Sequence, residues 1–538
     1  TGSQVLDSGT WQTVNIYQES SSNSRSGYAA RFNDNKSESS LTTPLLSSVG
    51  EISFWYRELN SGGGDILIQT STDGTNFNTV DTQAYSGTSY SSYTYTLNSS
   101  NSIYIKIRTS NENGHLIIDD FSTTAYQIDL TVSSDQTINS AVSYDNVTVN
   151  SGQTLTITKT GSLTISGNLI NNGAVTLNSD SNEFSSLIVH GTSSGNITYN
   201  RYVNSLSGGT GWDLIGSPVN GLQISSFVST NDAGSSPLAT GNGSGQGASG
   251  EYAIGIYDPS NNSWSNYTSS NVNTTQFTPG KGYQMATDSG ATLAFTGTVD
   301  TDATETISIE SFTDASGRRW NLISNPYPSF ITLGPNSTTN TFLEVNDDII
   351  DATYVGVYGY DADNSNGSNY TIYNNTSSSK IAPGQAFFVA ARSTNAANIT
   401  FKEEMQTTST GDDFISGDIM ENTEVELRIY NNGNAVGNTK LFFNEGLTLG
   451  LNPGWDAGSF SQSDPIMTRL VEEDEGHGMA INAMGLDAME NAVIPLVINQ
   501  AAGQEFRINL HTATIPDPNV YLEDVEEGTF TNLYEGDF

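Results

Sequence analysis

The sequence predicts an all-β protein, built from tandem β-sandwich (jelly-roll-like) domains and a short parallel β-solenoid segment. Apolar and polar residues alternate with a period of two through segments of strand length, such as residues 51–57 and 102–108. Asn and Ser are frequent, and the 52 glycines suit tight turns between short strands. Only 14% of the residues are charged, so the Lys and Glu side chains that cover exposed helices are scarce.

Composition excludes several classes of protein. Lys and Arg total 18 against 58 Asp and Glu, and the resulting net charge of −40 would repel nucleic acid. The absence of cysteine excludes disulfides and thiolate metal sites. No run reaches the ~18 consecutive apolar residues of a membrane helix, so no transmembrane segment is expected. The chain begins without a secretory leader, and we expect a mature, exported protein.

Two architectures are predicted for the first part of the chain. Residues 1–126 contain alternating strands and an Asp73-Gly74 pair typical of hairpin turns, which predicts a jelly-roll β-sandwich. In residues 127–203, short apolar-x-apolar triplets recur every 6–8 residues between Gly-containing turns. This spacing favours coils of a small parallel β-solenoid, and an irregular β-meander is the alternative.

An internal repeat occupies residues 204–300 and 301–410. Residues 212–218 match residues 320–326, 108 positions later, and residues 278–283 match residues 382–387, 104 positions later. Between these anchors, Tyr257 and Tyr267 match Tyr360 and Tyr370, both 103 positions later. Each copy is expected to be β-rich with one short helix, at residues 222–228 in the first, and to bury its tryptophan, Trp212 or Trp320. Residues 411–538 are predicted to form a last β-sandwich.

Several motifs resemble those of secreted Bacteroidota proteins. Residues 212–218 and 320–329 resemble the "WNLIGNPYPS" element of large secreted proteins of that phylum, and residues 277–283 are similar to a second element of them. Residues 517–524 and 528–533 resemble the module that precedes the sorting domain of type IX secretion cargo. The N-terminal segment resembles MAM-like or concanavalin-like jelly rolls, on the basis of residues 26–32, 52–56 and 118–121.

This resemblance implies export by the type IX secretion machinery. The protein is then expected at the outer-membrane surface of a Gram-negative bacterium or outside the cell. Phe538 stops where the sorting domain would begin, which is expected if that domain is cleaved, and also if the chain simply continues.

Calcium is the small ligand that the sequence predicts, because Ca²⁺ takes 6–8 oxygen ligands of the kind that carboxylates and loop carbonyls provide. Asp119 and Asp120 are neighbours in a predicted strand, so one of them should point inward and need a partner. In the jelly rolls that this segment resembles, such a strand often borders a calcium site. The alternative is that backbone N–H groups or Arg31 hold the carboxylate.

A second candidate for calcium is the loop of Asp361 and Asp363, with a simple hairpin turn as its alternative. An EF-hand would have Gly and Glu where this chain has Asn366 and Ile372. Trp264 lies within a polar stretch and is the candidate for stacking against a glycan.

No catalytic motif is recognisable. The four histidines are far apart, and the sequence contains no zinc-protease, nucleophile-elbow or nucleotide-binding signature. We therefore expect a non-enzymatic secreted or cell-surface protein, an adhesin that contacts surface glycans, other cells or copies of itself. The alternatives are a structural subunit of a filament or lattice, and a polysaccharide-active enzyme or its accessory module.

Overall fold

The computed structural model describes most of the chain. The described residues are 2–6, 9–19, 23–25, 27–33, 38–60, 62–109, 115–126, 128–206, 211–231, 250–312, 318–334, 340–360, 370–392, 394–409, 423–515 and 519–538. Strand accounts for 52% of the protein and helix for 5%, which confirms the all-β prediction. None of the helices described is long and apolar enough to cross a membrane. Residues 1–128 form one unit and residues 129–538 form another.

The first unit is a sandwich of two antiparallel sheets. Its strands are β1 (Gly2–Leu6), β2 (Gly9–Val14), β3 (Ile16–Glu19), β4 (Ala29–Phe32), β5 (Ser40–Thr42), β6 (Val49–Glu58), β7 (Gly64–Ser71), β8 (Asn78–Tyr85), β9 (Ser91–Ser99), β10 (Tyr104–Thr109) and β11 (Leu116–Thr123). The strand orders are β1-β2-β5-β10-β7-β8 and β3-β4-β11-β6-β9. Alternate residues of both sheets, such as Phe54 and Ile105, are buried in one core between them.

The second unit begins with a parallel β-solenoid. Its strands are β12 (Leu130–Val132), β13 (Gln136–Ile138), β14 (Ala141–Tyr144), β15 (Val147–Val149), β16 (Thr154–Ile157), β17 (Ser162–Ile165), β18 (Leu169–Asn171), β19 (Ala174–Asn178), β20 (Ser186–Val189), β21 (Ser193–Ser194) and β22 (Ile197–Val203). They stack in parallel as β12-β15-β18-β21, β13-β16-β19-β22 and β14-β17-β20, so a full coil takes one strand from each sheet. The predicted solenoid is therefore present.

A ladder of side chains links successive coils at one corner of the solenoid. The Oδ1 atom of Asn146 accepts a hydrogen bond from the backbone N–H of Asn168 at 2.9 Å. The Oδ1 atom of Asn168 in turn accepts one from the backbone N–H of Thr192 at 2.9 Å. At this corner, side chains satisfy the backbone groups that the sheets leave unpaired.

The two repeat copies share a common order of elements, to which the second copy adds further short strands. The first contains β23 (Asp213–Ile215), α1 (Ile224–Asn231), β24 (Glu251–Asp258), β25 (Ser263–Thr268), a 3₁₀ turn (Val272–Thr274), β26 (Tyr283–Met285) and β27 (Ala291–Gly297). The second contains β28 (Thr304–Ile309), β29 (Trp320–Ser324), β30 (Phe330–Thr332), α2 (Phe342–Asn346), a 3₁₀ turn (Ala352–Tyr354), β31 (Val357–Tyr360), β32 (Tyr370–Tyr373), β33 (Lys380–Ile381), β34 (Ala386–Ala390), β35 (Ala397–Lys402), a 3₁₀ turn (Glu403–Met405) and β36 (Gln406–Thr407). Their central sheets, β23-β26-β24-β25 and β29-β34-β31-β32, correspond strand for strand.

Each copy uses a buried asparagine to attach its helix to a strand. In the second copy, Nδ2 of Asn346 donates to the carbonyl of Thr400, and Oδ1 of Asn346 accepts from the N–H of Thr400. In the first copy, Asn231 makes the same pair of bonds with Ala294. The helices are short, so these bonds and the buried phenylalanines beside them, not helix propensity, hold them in place.

The two copies pair with each other reciprocally. Ile215 of the first copy bridges Gln385 of the second, and Ile323, the counterpart of Ile215, bridges Lys281, the counterpart of Gln385. Such reciprocity is the mark of an approximate two-fold relation. The approach is so close that a Cβ atom added at Gly216 would lie 1.9 Å from Oγ of Ser324.

The C-terminal part contains one mixed sheet and a hairpin. Its elements are β37 (Thr423–Asn431), β38 (Asn434–Phe443), β39 (Ala457–Gly458), β40 (Ile466–Thr468), β41 (Met479–Met484), α3 (Ala488–Asn491), β42 (Leu496–Ile498), β43 (Arg507–Ala513), β44 (Tyr521–Asp524) and β45 (Thr529–Asn532). The sheet order is β42-β40-β41-β38-β37-β43, β39 joins β41, and among the described strands β44 pairs with β45 alone. This part contacts the second repeat copy, where the Tyr358 hydroxyl donates to the Gly458 carbonyl at 2.7 Å.

Candidate binding surface

Trp264 lies in strand β25, near the start of a hairpin with β24. Its side chain is 39% exposed. Directly across the hairpin lies Tyr257, with the two ring centroids 5.3 Å apart, and Phe388 of the second copy approaches Trp264 at 6.3 Å. The indole is therefore held by two other rings and still reaches the surface.

Two amide side chains lie next to this aromatic pair. Asn266 is two residues beyond Trp264 on the same face, and Gln284 donates a hydrogen bond to its Oδ1 atom at 2.8 Å. Between them lies Gly255, where an added Cβ atom would come within 2.6 Å of both amide groups. We call the side chains of Trp264, Tyr257, Asn266 and Gln284 the Trp264 face.

Hydrogen bonds fix the hairpin that presents Trp264. Asp258 accepts from the backbone N–H of Ser260 at 2.9 Å and from its hydroxyl at 2.6 Å, which closes the turn. Burial, followed by the negative charge of Asp258, raises the pKa of Tyr257 to about 12. Tyr257 is thus a neutral phenol at pH 7, and its hydroxyl donates to Oδ1 of Asn262 at 2.9 Å.

The second repeat copy shows what covers the same face there. Strand register places Tyr370 opposite Tyr360, as Trp264 lies opposite Tyr257. Tyr370 stacks on Phe460 of the C-terminal part, with centroids 4.0 Å apart and ring planes 18° apart. The counterpart of Trp264 is therefore Tyr370, and the match of Tyr267 with Tyr370 expected from the sequence is wrong, because the two hairpins differ in loop length. In the second copy this position holds a flat ring.

The Trp264 face is also more polar than its counterpart. The position of Phe388 in the second copy is occupied by Gln284 in the first. The next position differs in the same way. Strand register places Ile372 opposite Tyr358 in the second copy and Asn266 opposite Gly255 in the first, so Asn266 is the counterpart of Ile372. The first copy thus has amide side chains at the positions where the second copy has apolar side chains. Both copies have an aromatic ring at the edge position, Trp264 in the first and Tyr370 in the second.

The predicted calcium residues Asp119 and Asp120 lie at a β-bulge in β11. Asp119 is buried and accepts hydrogen bonds from the backbone N–H groups of Arg25 at 2.7 Å and of Asp120 at 2.9 Å. Asp120 has a left-handed backbone, and its carboxylate pairs with the Arg25 guanidinium at 2.6 Å. Arg31, the partner considered from the sequence, instead pairs with Glu19 at 3.1 Å.

Asp361 and Asp363 lie outside the described residues. Within the part of the chain that is described, no three His, Asp or Glu side chains converge in a way that could hold a metal ion. The set around Asp119 contains a guanidinium in the place where a cation would bind, so these residues as placed do not fit a calcium site.

The proline-containing motifs have a structural role. Asn325 is fully buried, and its Nδ2 donates to the carbonyls of Ser329, Ile381 and Ala382 while its Oδ1 accepts from the N–H of Tyr327. The preceding Trp320 is half-buried, with its centroid 4.4 Å from that of Phe460. In the motif at residues 320–329, Asn325 thus holds a turn and Trp320 contacts the C-terminal part. The contact with the C-terminal part was not predictable from the sequence.

Comparison with solved structures finds similar domains over about a fifth of the chain. One is the K2 cleaved adhesin domain of Lys-gingipain (Kgp), with 14% identity, covering 21% of this chain and 88% of that one, at a TM-score of 0.19. Another is the K1 cleaved adhesin domain of Lys-gingipain from Porphyromonas gingivalis W83, with 13% identity, coverage of 21% and 90%, and a TM-score of 0.20. A third is TmCBM61, whose structure is a complex with beta-1,4-galactotriose, with 20% identity, coverage of 21% and 88%, and a TM-score of 0.18.

No curated protein matches the chain. A family of domains does match it, over residues 117–538, and that range includes the solenoid, both repeat copies and the C-terminal part. The chain belongs to the family described as Domain of unknown function (DUF8693).

Proposed function

We propose that this is a non-enzymatic surface-interaction protein that binds glycan through the Trp264 face. The observation that carries the proposal is the difference between the two copies of one fold. Tyr370 is stacked face to face on Phe460, whereas the rings of Tyr257 and Phe388 meet the equivalent Trp264 at steep angles and leave it 39% exposed. A position built to stack a flat ring is thus left accessible.

The chemistry of the face suits a sugar. A pyranose has an apolar ring face that can stack on an indole, and hydroxyl groups that need donors and acceptors. The hairpin provides these beside Trp264, because Asn262 is exposed and Asn266, on the same face as Trp264, is half-buried. A carboxylate pair for glycoside hydrolysis is not needed for such binding.

We also propose that the protein works outside the cell or on its outer surface after export by the type IX machinery. The support is in the sequence: the motifs at residues 212–218 and 320–329, and a cysteine-free chain that needs no redox control. Detection of the native protein on intact cells by antibody, and its loss from the surface in a secretion-deficient strain, is the test.

Replacing Trp264 with alanine is expected to weaken glycan binding at least tenfold, about 1.4 kcal/mol, because the stacking surface is removed. Immobilised mixed-linkage β-glucan, xylan and alginate are suitable probes, with retention of the purified protein as the measurement. Trp264→Phe should retain part of the binding, since a smaller ring remains. Tyr28→Ala is the matched control, because Tyr28 is 69% exposed and lies in the other unit.

If Tyr28→Ala and Trp264→Ala lose glycan binding to the same extent, the Trp264 face has no specific role in that binding. If none of the three polysaccharides retains the wild-type protein and particle sizing shows long assemblies, the structural-subunit alternative replaces glycan binding. Release of soluble sugar from any of them would identify the enzyme alternative.

Calcium at Asp119 and Asp120 stays a prediction, and Arg25 sets the expected result of its test. Because the Arg25 guanidinium already neutralises Asp120, we expect the melting temperature to be the same in EDTA and in added calcium. The measurement is thermal melting followed by circular dichroism. A higher melting temperature with calcium, lost in Asp119→Asn, would show that a cation displaces Arg25.

A further inference from the structure

The C-terminal hairpin, β44 and β45, presents large apolar side chains to solvent. One of its faces is anchored, because Val520, Leu522 and Leu533 pack into the core of the C-terminal part. On the other face, Tyr521 is 57% exposed and Phe530 is 65% exposed. One face of the hairpin is thus part of the core, and in the described structure no other side chain buries the rings on the opposite face.

The exposed rings are neighbours on one surface. Strand register places Glu523 directly opposite Phe530, and Tyr521 is two residues before Glu523, so the two rings occupy diagonal positions within reach of each other. Val525, in the connecting turn, is 81% exposed. We call Tyr521, Glu523, Val525 and Phe530 the hairpin face.

This surface is strongly acidic. Residues 519–538 contain six Asp or Glu and no Lys or Arg. Asp537 pairs with Arg507, whereas no ion pair with a described residue involves the remaining acids, which are Glu523, Asp524, Glu526, Glu527 and Glu535. Uncompensated carboxylates around an exposed apolar patch attract a cationic partner and oppose an acidic one.

The hairpin also offers backbone groups. β44 and β45 form a sheet of two strands, so in the described structure each has an edge without a neighbouring strand. An open edge is a template for one more strand, and every second side chain of that strand would lie on the same side as the hairpin face.

We propose that the hairpin face docks an extended segment of another protein, in which every second residue lies on the hairpin face and these residues alternate between Lys or Arg and an apolar residue. The cations meet the carboxylates, the apolar residues cover Tyr521 and Phe530, and the backbone extends the sheet. A second copy of this chain is the poorer occupant, because each copy carries a net charge of −40. An anionic membrane surface is disfavoured for the same reason. This site is separate from the Trp264 face and does not depend on glycan binding.

The test uses two labelled peptides of about ten residues, with fluorescence anisotropy as the readout. In the first peptide, lysine and leucine alternate at every second position and threonine fills the positions between them, and in the second peptide glutamate replaces each lysine. We expect the wild-type protein to bind only the lysine peptide, more weakly as salt rises from about 50 to about 200 mM. Tyr521→Ser/Phe530→Ser should weaken binding at least about tenfold, because the apolar contact is lost. The exposed triple variant Glu523→Gln/Glu526→Gln/Glu527→Gln should do so as well and avoids any question of folding.

Tyr28→Ser is the matched control, as an exposed aromatic residue of the other unit, and it should bind like the wild type. The proposal is overturned if the glutamate peptide binds equally well, or if the serine and glutamine variants keep the wild-type affinity. It is also overturned if sedimentation shows that the wild type dimerises and Tyr521→Ser/Phe530→Ser does not, since the occupant is then a second copy.

Discussion

Replacing Arg201 with methionine is expected to lower the free energy of unfolding of residues 129–538 by about 2–5 kcal/mol, at about 1–3 kcal/mol for each buried acceptor left without a donor. Arg201 is fully buried, at 0% exposure, in the last strand of the solenoid. Its Nε donates to the carbonyl of Pro383 at 3.0 Å, and one terminal nitrogen donates to Oε1 of Gln385 at 2.5 Å. Methionine would leave these buried acceptors unpaired, and that desolvation cost dominates the effect.

The contacts of Arg201 join three segments of the chain. Gln385, which accepts from Arg201, donates through Nε2 to the carbonyl of Leu214 at 3.1 Å. One network thus runs from the solenoid through the second repeat copy to the first. We therefore expect Arg201→Met and Gln385→Ala to be non-additive in a double-mutant cycle, because both remove the same hydrogen bond.

Urea unfolding at pH 7 measures the effect, and Arg392→Met is the matched control. The Arg392 side chain is 50% exposed and lies 3.7 Å from an exposed Asp348, so its replacement should leave the urea midpoint unchanged. A loss below about 1 kcal/mol for Arg201→Met would mean that the network around Gln385 rearranges without cost.

Local patterns predicted the architecture well because each element is encoded within a few residues. The triplets at residues 147–149, 155–157 and 163–165 are strands β15, β16 and β17, with their apolar residues inside the coil. Period-two alternation likewise identified the buried face of β6, since Ile52 and Phe54 point into the sandwich. Buried and exposed side chains alternate along a strand, so a few residues are enough to predict the strand and its buried face.

The sites were harder to predict because they depend on pairing between distant segments. Asn231 and Asn346 have the same role but lie 115 residues apart, outside the 103–108 spacing of the other anchors, since the loops between them differ in length. The burial of Arg201 was predictable from the sequence, because Arg201 lies two residues after Tyr199 and four after Ile197 and therefore on the same inward face of β22. An arginine at such a position needs buried partners, although the sequence does not say which.

The carboxylates at the bulge in β11 show a second limit. Strict alternation put one of Asp119 and Asp120 inside, and Asp119 is indeed buried. The partner of Asp119, however, is the backbone N–H of Arg25, 94 residues away, and the bulge after Asp119 turns Asp120 outward toward the Arg25 guanidinium. Bulges and long-range partners are fixed by tertiary packing, so the sequence could offer calcium and a hold by backbone N–H groups or Arg31 as alternatives but could not identify Arg25.

The C-terminal part should become more stable as pH falls from 7 to 4.5, and Asp456 is the reason. Its carboxylate is fully buried, and burial raises its pKa to about 6, against the opposing effect of backbone N–H bonds from Ala483 and Asn452. Between its unfolded pKa near 3.8 and its folded pKa near 6, the folded state binds more protons than the unfolded state. Stability from this group is therefore present at low pH and is lost as pH rises through about 6.

From the linkage between protonation and folding, the contribution of Asp456 to the free energy of unfolding is expected to increase by about 2 kcal/mol between pH 7 and pH 4.5. The free energy of unfolding from urea titrations, taken as the difference between the wild type and Asp456→Asn, isolates it from the general relief of charge repulsion. Asp258→Asn is the control, because hydrogen bonds from Ser260 lower the pKa of Asp258, so its contribution changes only below this pH range. A difference between the wild type and Asp456→Asn that stays constant with pH would show that the two N–H bonds keep Asp456 ionised in the core. Because Asp456 adjoins Trp455, whose carbonyl accepts from Asn374 of the second repeat copy, a real effect would also tie the docking of the C-terminal part to pH.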